Sequence, residues 1–284
     1  MLPQPAFRAP PPQSRYPPTM SPRFIAVLDF ESTCDARGSQ MGFDTSKPEI
    51  IEFPVCVIDL QSRAVVGTFH TFVRPTLQPE LTPFCTQLTT ITQGQLSSSP
   101  TIPQALHAFE GWCEAHGLTA DNTLVATCGD WDLRRMWAAQ VAIQPSLVTP
   151  ALFKSWCNLK VIFQRQEGQK ATGMMGMLRH AGIQHEGVHH RGIDDVRNLC
   201  KLVLWMLAQG TAVVATWTDA ERRAEAAHYT KKLAGRQQLL ADQRVALERL
   251  PQGVPEQVRR AKLQQLAQTQ AQLAALQARR DVFT

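Results

Sequence analysis

Phe24-Ile25-Ala26-Val27-Leu28-Asp29-Phe30-Glu31 is the stretch that decides the fold. Its first five residues form a short, unbroken apolar run, the pattern of a strand covered on both faces of a sheet. Side chains alternate along a strand, so Asp29 and Glu31 share one face and Phe30 takes the other. Two carboxylates about 6–7 Å apart on one face repel each other and lose hydration unless a cation sits between them. Taken alone, this Asp-x-Glu pattern fits solvated acids at a loop entrance as well as it fits a metal site.

Two further segments shift that balance. Asn122 to Thr127 is a second short apolar strand, followed by Cys128-Gly129-Asp130-Trp131-Asp132-Leu133-Arg134-Arg135-Met136, which puts an acid at the start of a helix. Later, His189-His190-Arg191-Gly192-Ile193-Asp194-Asp195 precedes a helix whose apolar residues Val196, Leu199, Cys200, Leu202, Val203 and Met206 share one stripe. The chain therefore supplies a third and a fourth acid together with a histidine.

In the segments FIAVLDFESTC, PEIIEFPVCVIDL, FHTFVRPTLQPELTPFCTQLTTITQGQL, CGDWDLRRMW and HHRGIDDVRNLCKLV, the chain resembles the DEDDh branch of the DnaQ-like 3′-to-5′ exonucleases. Within that branch it is similar to the subgroup of the histone-mRNA 3′-end exonuclease. The resemblance runs from about Phe24 to about Gly210. It implies that Asp29, Glu31, Asp132 and Asp195 hold two Mg²⁺ ions, with Mn²⁺ able to substitute, and that His190 is the general base. Asp132 is preferred to Asp130 because the family's acid follows an aromatic residue, which leaves Asp130 as an expected helix cap. His190 is preferred to His189 because His-x-Gly-x-x-Asp places Gly192 and Asp195 in register. For substrate, the resemblance points to Leu88 and Ile91 around the terminal base, with Phe30 and Trp131 as stacking neighbours and Arg191 as a phosphate contact. Core packing is an equal alternative for Phe30, and a solvated side chain is one for Arg191. The family commonly has glycine where this chain has Thr90, which puts close backbone approach there in doubt. Resemblance favours single-stranded RNA over DNA as partner, leaving as alternatives a DNA exonuclease with the same site and a non-catalytic nucleic-acid-binding module.

Composition agrees with an enzyme that has one full α/β core and an appendage: 284 residues, of which 44% are hydrophobic. No apolar stretch approaches a membrane span. Seven cysteines without a Cys-x-x-Cys pair argue against a zinc site or a disulfide framework, and place the chain in a reducing compartment, cytoplasmic or nuclear. Residues 1–22 contain eight prolines and no acid. They are expected to be disordered or polyproline II-like and lack a secretory h-region, while a role in organelle targeting is left open.

Residues 23–217 read as the exonuclease domain. The expected fold is α/β, a ribonuclease H-like mixed five-stranded sheet with flanking helices. Ile50–Leu60 and Val65–Val73 are expected to pair antiparallel, and Trp156–Phe163 to add a fifth strand. Residues 218–284 change to Ala, Gln, Leu, Arg and Glu and read as a helical hairpin: Thr218 with Glu221 forms a capping box, Leu233, Leu240 and Leu247 recur every seven residues, and Pro251-Gln252-Gly253 breaks the helix. The hairpin carries twelve Lys/Arg against seven Asp/Glu, compared with fifteen against seventeen in 23–217. A solvated basic face is the favoured reading, with added affinity for nucleic acid as the alternative. Its thin apolar seam is expected to pack on the core, on a second copy or on another protein.

Overall fold

The computed structural model describes residues 22–36 and 43–284. The expectation for the proline-rich segment therefore lies, apart from Pro22, outside the described residues. Among these residues six strands form one mixed sheet: β1 (Phe24–Leu28), β2 (Glu31–Ser32), β3 (Ile50–Asp59), β4 (Ala64–Phe72), β5 (Thr123–Thr127) and β6 (Trp156–Asn158). β1 pairs antiparallel with β3 and parallel with β5, β5 pairs parallel with β6, and β4 pairs antiparallel with β3. The strand beyond the expected five is β2, two residues that pair Glu31 with Glu52 of β3.

Among the described residues, nine α-helices accompany the sheet: α1 (Pro83–Thr89), α2 (Gln93–Ser97), α3 (Ile102–Ala115), α4 (Ala138–Ile143), α5 (Leu159–Glu167), α6 (Met174–His180), α7 (Gly192–Ala208), α8 (Asp219–Glu248) and α9 (Glu256–Asp281). Alternation along β1 divides the core in two. Ala26 and Leu28 join α3 residues on one face, whereas Ile25 and Val27 meet Val196, Leu199 and Val203 of α7 on the other. The expected parity therefore holds, and the face of Asp29 and Glu31 is the α7 face.

The expected strand Trp156–Phe163 is half strand and half helix. The Asn158 side chain accepts from the Lys160 N–H at 3.0 Å and starts α5. Leu159, Ile162 and Phe163 then point one stripe inward, a helical spacing that an apolar run too short for its period to show conceals.

α8 and α9 form the hairpin, and its base is built into the main core. Ala278, Val282 and Phe283 are buried with Trp217 and with residues of α4. The Phe283 ring lies parallel to Tyr229 at 6.0 Å and stands 6.0 Å from Trp217. Arg134 joins this clasp through a 2.7 Å ion pair to Glu225, its guanidinium 5.1 Å above the Trp217 ring. Away from the base the seam thins: Leu233 is buried, Leu240 and Leu247 are half-buried, and Leu239, Val245 and Val258 are exposed. No helix of the described residues is long and apolar enough to cross a membrane.

Candidate active site at the end of the central strand

Where β1 ends, three other parts of the chain converge on it. Asp132 lies in the π-helical turn Trp131–Trp137 that leads into α4, and its Oδ1 accepts from the Phe30 N–H at 2.8 Å. That bond ties the third acid directly between the first two. Asp195 comes from the first turn of α7, where a carboxylate is favoured by the helix dipole. The start of α7 reaches β1 because residue 192 is glycine. A Cβ there would lie 2.9 Å from the Asp29 carbonyl oxygen, 3.0 Å from Pro54 and 3.2 Å from the Glu52 carboxylate.

Glu52 is a functional neighbour that the sequence reading missed. Fully buried on β3, it accepts from the Gly192 and Ile193 N–H groups at 2.9 and 3.1 Å and from His70 Nε2 at 2.8 Å. It thus satisfies orphan donors of the α7 N-terminus and fixes where Asp195 stands. An acid inside the apolar run Ile50–Leu60 was the available signal, since a buried carboxylate needs a partner. Lys160 was missed as well. It sits on α5 at the Asn158 cap, its ammonium 3.5 Å from the place a Cβ on Gly129 would take, and it opposes the charge of Asp29 and Asp132.

The acids strain one another. Burial, then the charges of Asp132, Asp195 and Glu52, hold the Asp29 carboxyl well above the usual carboxylate range. Glu31 is pushed up to about 11 by burial and by the same neighbours together with Asp29. Burial raises Asp132 to about 7, against the Phe30 N–H that favours its charged form. A set of oxygen donors that cannot all ionise together is one a hard divalent cation fits, because its charge offsets their mutual repulsion and lost hydration.

The histidine loop is fastened to α7. Asn198 accepts from the Glu186 N–H at 3.0 Å and donates to the Glu186 and Asp194 carbonyls at 2.8 Å, while Asp194 accepts from the Val188 N–H at 3.1 Å. Asp194 thereby serves the loop, and Asp195 faces the acids. His190 stands at φ +69°, donates its backbone N–H to Asp195 Oδ2 at 2.8 Å, and brings a ring nitrogen within 4.8 Å of both the Glu31 and Asp195 carboxylates. Burial, then the adjacent His189, lowers its pKa, while Asp195 raises it. His189 stacks on His190 at 3.9 Å and aims Nδ1 at Asp195 Oδ2, 3.1 Å away.

Three expectations need correction. Phe30 is 3% exposed and meets Phe53 and Phe153 edge-on at 5.0 and 6.1 Å, so its ring belongs to the core and offers no face to a base. Ile91, 1% exposed, is enclosed by Ile51, Cys85 and Leu96 and cannot bracket a nucleotide. The Asp130 side chain caps no helix, although the residue precedes the turn Trp131–Trp137. Its backbone is not extended as an N-cap requires, and its carboxylate accepts from the Trp156 indole at 3.1 Å. Trp131 is 45% exposed beside Asp132, Arg191 is half-buried at the start of α7, and Leu88 is half-buried on α1. Thr90 adopts φ +61° as the C-cap of α1, the left-handed position where glycine is at ease.

Comparison with known proteins places this geometry in context. The family model described as Exonuclease matches residues 26–203. The chain is 35% identical over 198 residues to ERI1 exoribonuclease 3 of Homo sapiens, covering 69% of this chain and 56% of that protein. It is 31% identical over 190 residues to 3′-5′ exoribonuclease 1 of Mus musculus, covering 66% and 54%. The chain thus spans about half the length of the curated relatives it matches. Among solved structures it is similar to the nuclease domain of 3′hExo, a DEDDh family member bound to rAMP. There the TM-score is 0.62 at 29% identity, over 69% of this chain and 98% of that one. A 3′-exonuclease in 3′-end specific recognition of the histone mRNA stem-loop gives a TM-score of 0.60 at 28% identity, over 68% and 85%. The family match ends before α8 begins.

Proposed function

The chain belongs to the exonuclease family whose model spans residues 26–203, and from that premise we propose that it is a metal-dependent 3′-to-5′ exoribonuclease. Its substrates are single-stranded RNA ends or overhangs, and its products nucleoside 5′-monophosphates. The observation that carries this reading is the convergence of Asp29, Glu31, Asp132 and Asp195, with His190 beside them, at the end of one strand. RNA is favoured over DNA because the names of the relatives specify exoribonucleases.

In this reading Asp29, Glu31, Asp132 and Asp195 hold two Mg²⁺ ions, for which Mn²⁺ substitutes. When bound, such ions lower the pKa of water and neutralise charge on the departing oxygen. The protein's own residues do the rest. His190, kept neutral near pH 7 by burial and by His189, accepts the proton of the attacking water. The Phe30 N–H fixes Asp132, and Glu52 fixes the turn that carries His190 and Asp195. Trp131 offers an exposed ring on which a base can stack, a contact suited to single strands of any sequence. Arg191 follows His190 and suits phosphate, and Leu88 is the remaining apolar neighbour of the terminal nucleotide.

The test is cleavage of 3′- and 5′-labelled single-stranded RNA, single-stranded DNA and duplex ends, each with Mg²⁺, Mn²⁺ or chelator. The reading requires metal-dependent release of mononucleotides from RNA 3′ ends. Faster cleavage of DNA makes the chain a DNA exonuclease with the same site. Binding without cleavage under every metal condition leaves a nucleic-acid-binding module.

A further inference from the structure

Asp195 has two faces. One is turned to the oxygen cage, and the other is met by two imidazoles, His185 and His189, that transfer no proton in the proposed reaction. His185 Nε2 lies 3.5 Å from Asp195 Oδ1, and His189 Nδ1 lies 3.3 and 3.1 Å from its two oxygens. One ligand atom from each of the three residues falls within 4.8 Å of the others, and the two rings stand 5.9 Å apart at 70°. Ligands bound to zinc at about 2.0–2.1 Å in a tetrahedron are separated by about 3.3 Å. The imidazole-to-carboxylate distances already match such edges.

We propose that His185, His189 and Asp195 form a second metal site, selective for Zn²⁺ and distinct from the oxygen cage, which shares Asp195 with it. The donor set decides the selectivity. Two neutral imidazoles and one carboxylate suit zinc, whereas Mg²⁺ prefers oxygen alone. Access is one-sided: the side chains of Asp195 and His185 are 4% and 15% exposed and that of His189 is 40% exposed, which leaves the fourth position to water. The loop is already ordered by Asn198 and Asp194, so little rearrangement precedes binding. Three donors now converge on Asp195: the two imidazoles and the His190 N–H at 2.8 Å. Zinc would replace the imidazole donors and take up lone pairs of the Asp195 oxygens, so it competes with the oxygen cage for that carboxylate.

The inhibitory consequence rests on the proposed exonuclease reading, but zinc binding itself does not. Full-length metal-free protein is titrated with Zn²⁺ against a chromophoric chelator in excess Mg²⁺, alongside His185→Gln and Asp29→Asn, with Co²⁺ absorption as a second readout of imidazole coordination. Wild type should bind one Zn²⁺ under these conditions. His185→Gln should bind it at least about tenfold more weakly, while Asp29→Asn, which weakens the competing oxygen cage, binds it as tightly as wild type or more tightly. In cleavage assays His185→Gln should retain Mg²⁺-supported activity and need at least about tenfold more Zn²⁺ for the same inhibition. Equal Zn²⁺ affinity in wild type and His185→Gln, or loss of binding in Asp29→Asn, overturns the proposal. Absent cleavage in wild type with zinc binding as described defeats the exonuclease reading and leaves the zinc site standing.

Discussion

The end of β1 and the base of the C-terminal hairpin are both sparsely solvated, and they oppose each other energetically. At β1, Asp29, Glu31 and Asp132 are forced toward protonation by burial and by one another. At the hairpin base, Trp217, Tyr229 and Phe283 close over apolar neighbours, and Arg134 is paired with Glu225. The first region costs the metal-free protein stability; the second supplies stability without any ligand. The lesson is that in this molecule chemistry and cohesion are held in separate places, joined through the helical turn that carries both Asp132 and Arg134.

The sharpest way to test that division is to remove a carboxylate charge. Asp29→Asn is expected to reduce cleavage to background while raising the melting temperature of the metal-free protein, because it relieves repulsion and leaves the core intact. Asp132→Ala should be equally inactive. Normal turnover in Asp132→Ala with an inactive Asp130→Ala would show the wrong acid assigned. Next in size is His190→Ala, expected to lose on the order of 10²–10⁴ in rate with metal binding retained. An inactive His189→Ala beside a normal His190→Ala would exchange the two roles.

The hairpin base should show the opposite signature. Phe283→Ala is expected to destabilise the protein by about 3 kcal/mol, the low end for a buried phenylalanine because the chain terminus can relax. In thermal and urea melts the loss should appear with or without metal, and the surviving folded fraction should keep its turnover. A chain ending at Trp217 should unfold more readily still, since it uncovers α4 and removes the partner of Arg134. Lost turnover in a Phe283→Ala protein that melts normally would break the comparison, for it would make the hairpin part of the site.

A pH series gives a subtler contrast. Carboxyls in the unfolded chain titrate near 4, whereas Asp132 and Glu31 in the metal-free fold titrate at about 7 and about 11. Between these values the unfolded state has released protons that the folded state still holds, so stability falls as pH rises. The metal-free melting temperature should therefore climb as pH is lowered from about 8 to about 5. Saturating Mg²⁺ or Asp29→Asn should flatten that slope, and Phe283→Ala should leave it unchanged. Parallel pH curves for wild type and Asp29→Asn would remove the electrostatic account of the site. The smallest effect belongs to Thr90→Gly, expected to raise stability by about 1 kcal/mol by relieving a left-handed threonine, as measured by chemical denaturation.

What the sequence determined by itself was periodic or adjacent. The five apolar residues before Asp29 gave a buried strand, alternation put Asp29 and Glu31 on one face, and helical spacing after Asp195 gave α7. The capping box at Thr218 and the break at Pro251 likewise announced the two long helices. These follow from geometry within a few residues, where side-chain direction is fixed by the backbone. Tertiary structure alone decided the rest. Glu52 meets Gly192 across 140 positions of chain, Lys160 stands over Gly129, and His185 turns toward Asp195 because Asn198 and Asp194 hold its loop. Phe30 and Ile91 show the same limit from the other side, since neither a place beside a proposed ligand nor one in a family-like loop says which residues enclose a side chain. The physical reason is that local conformation depends on neighbouring dihedrals, whereas burial and partner choice depend on which distant surfaces the fold presses together.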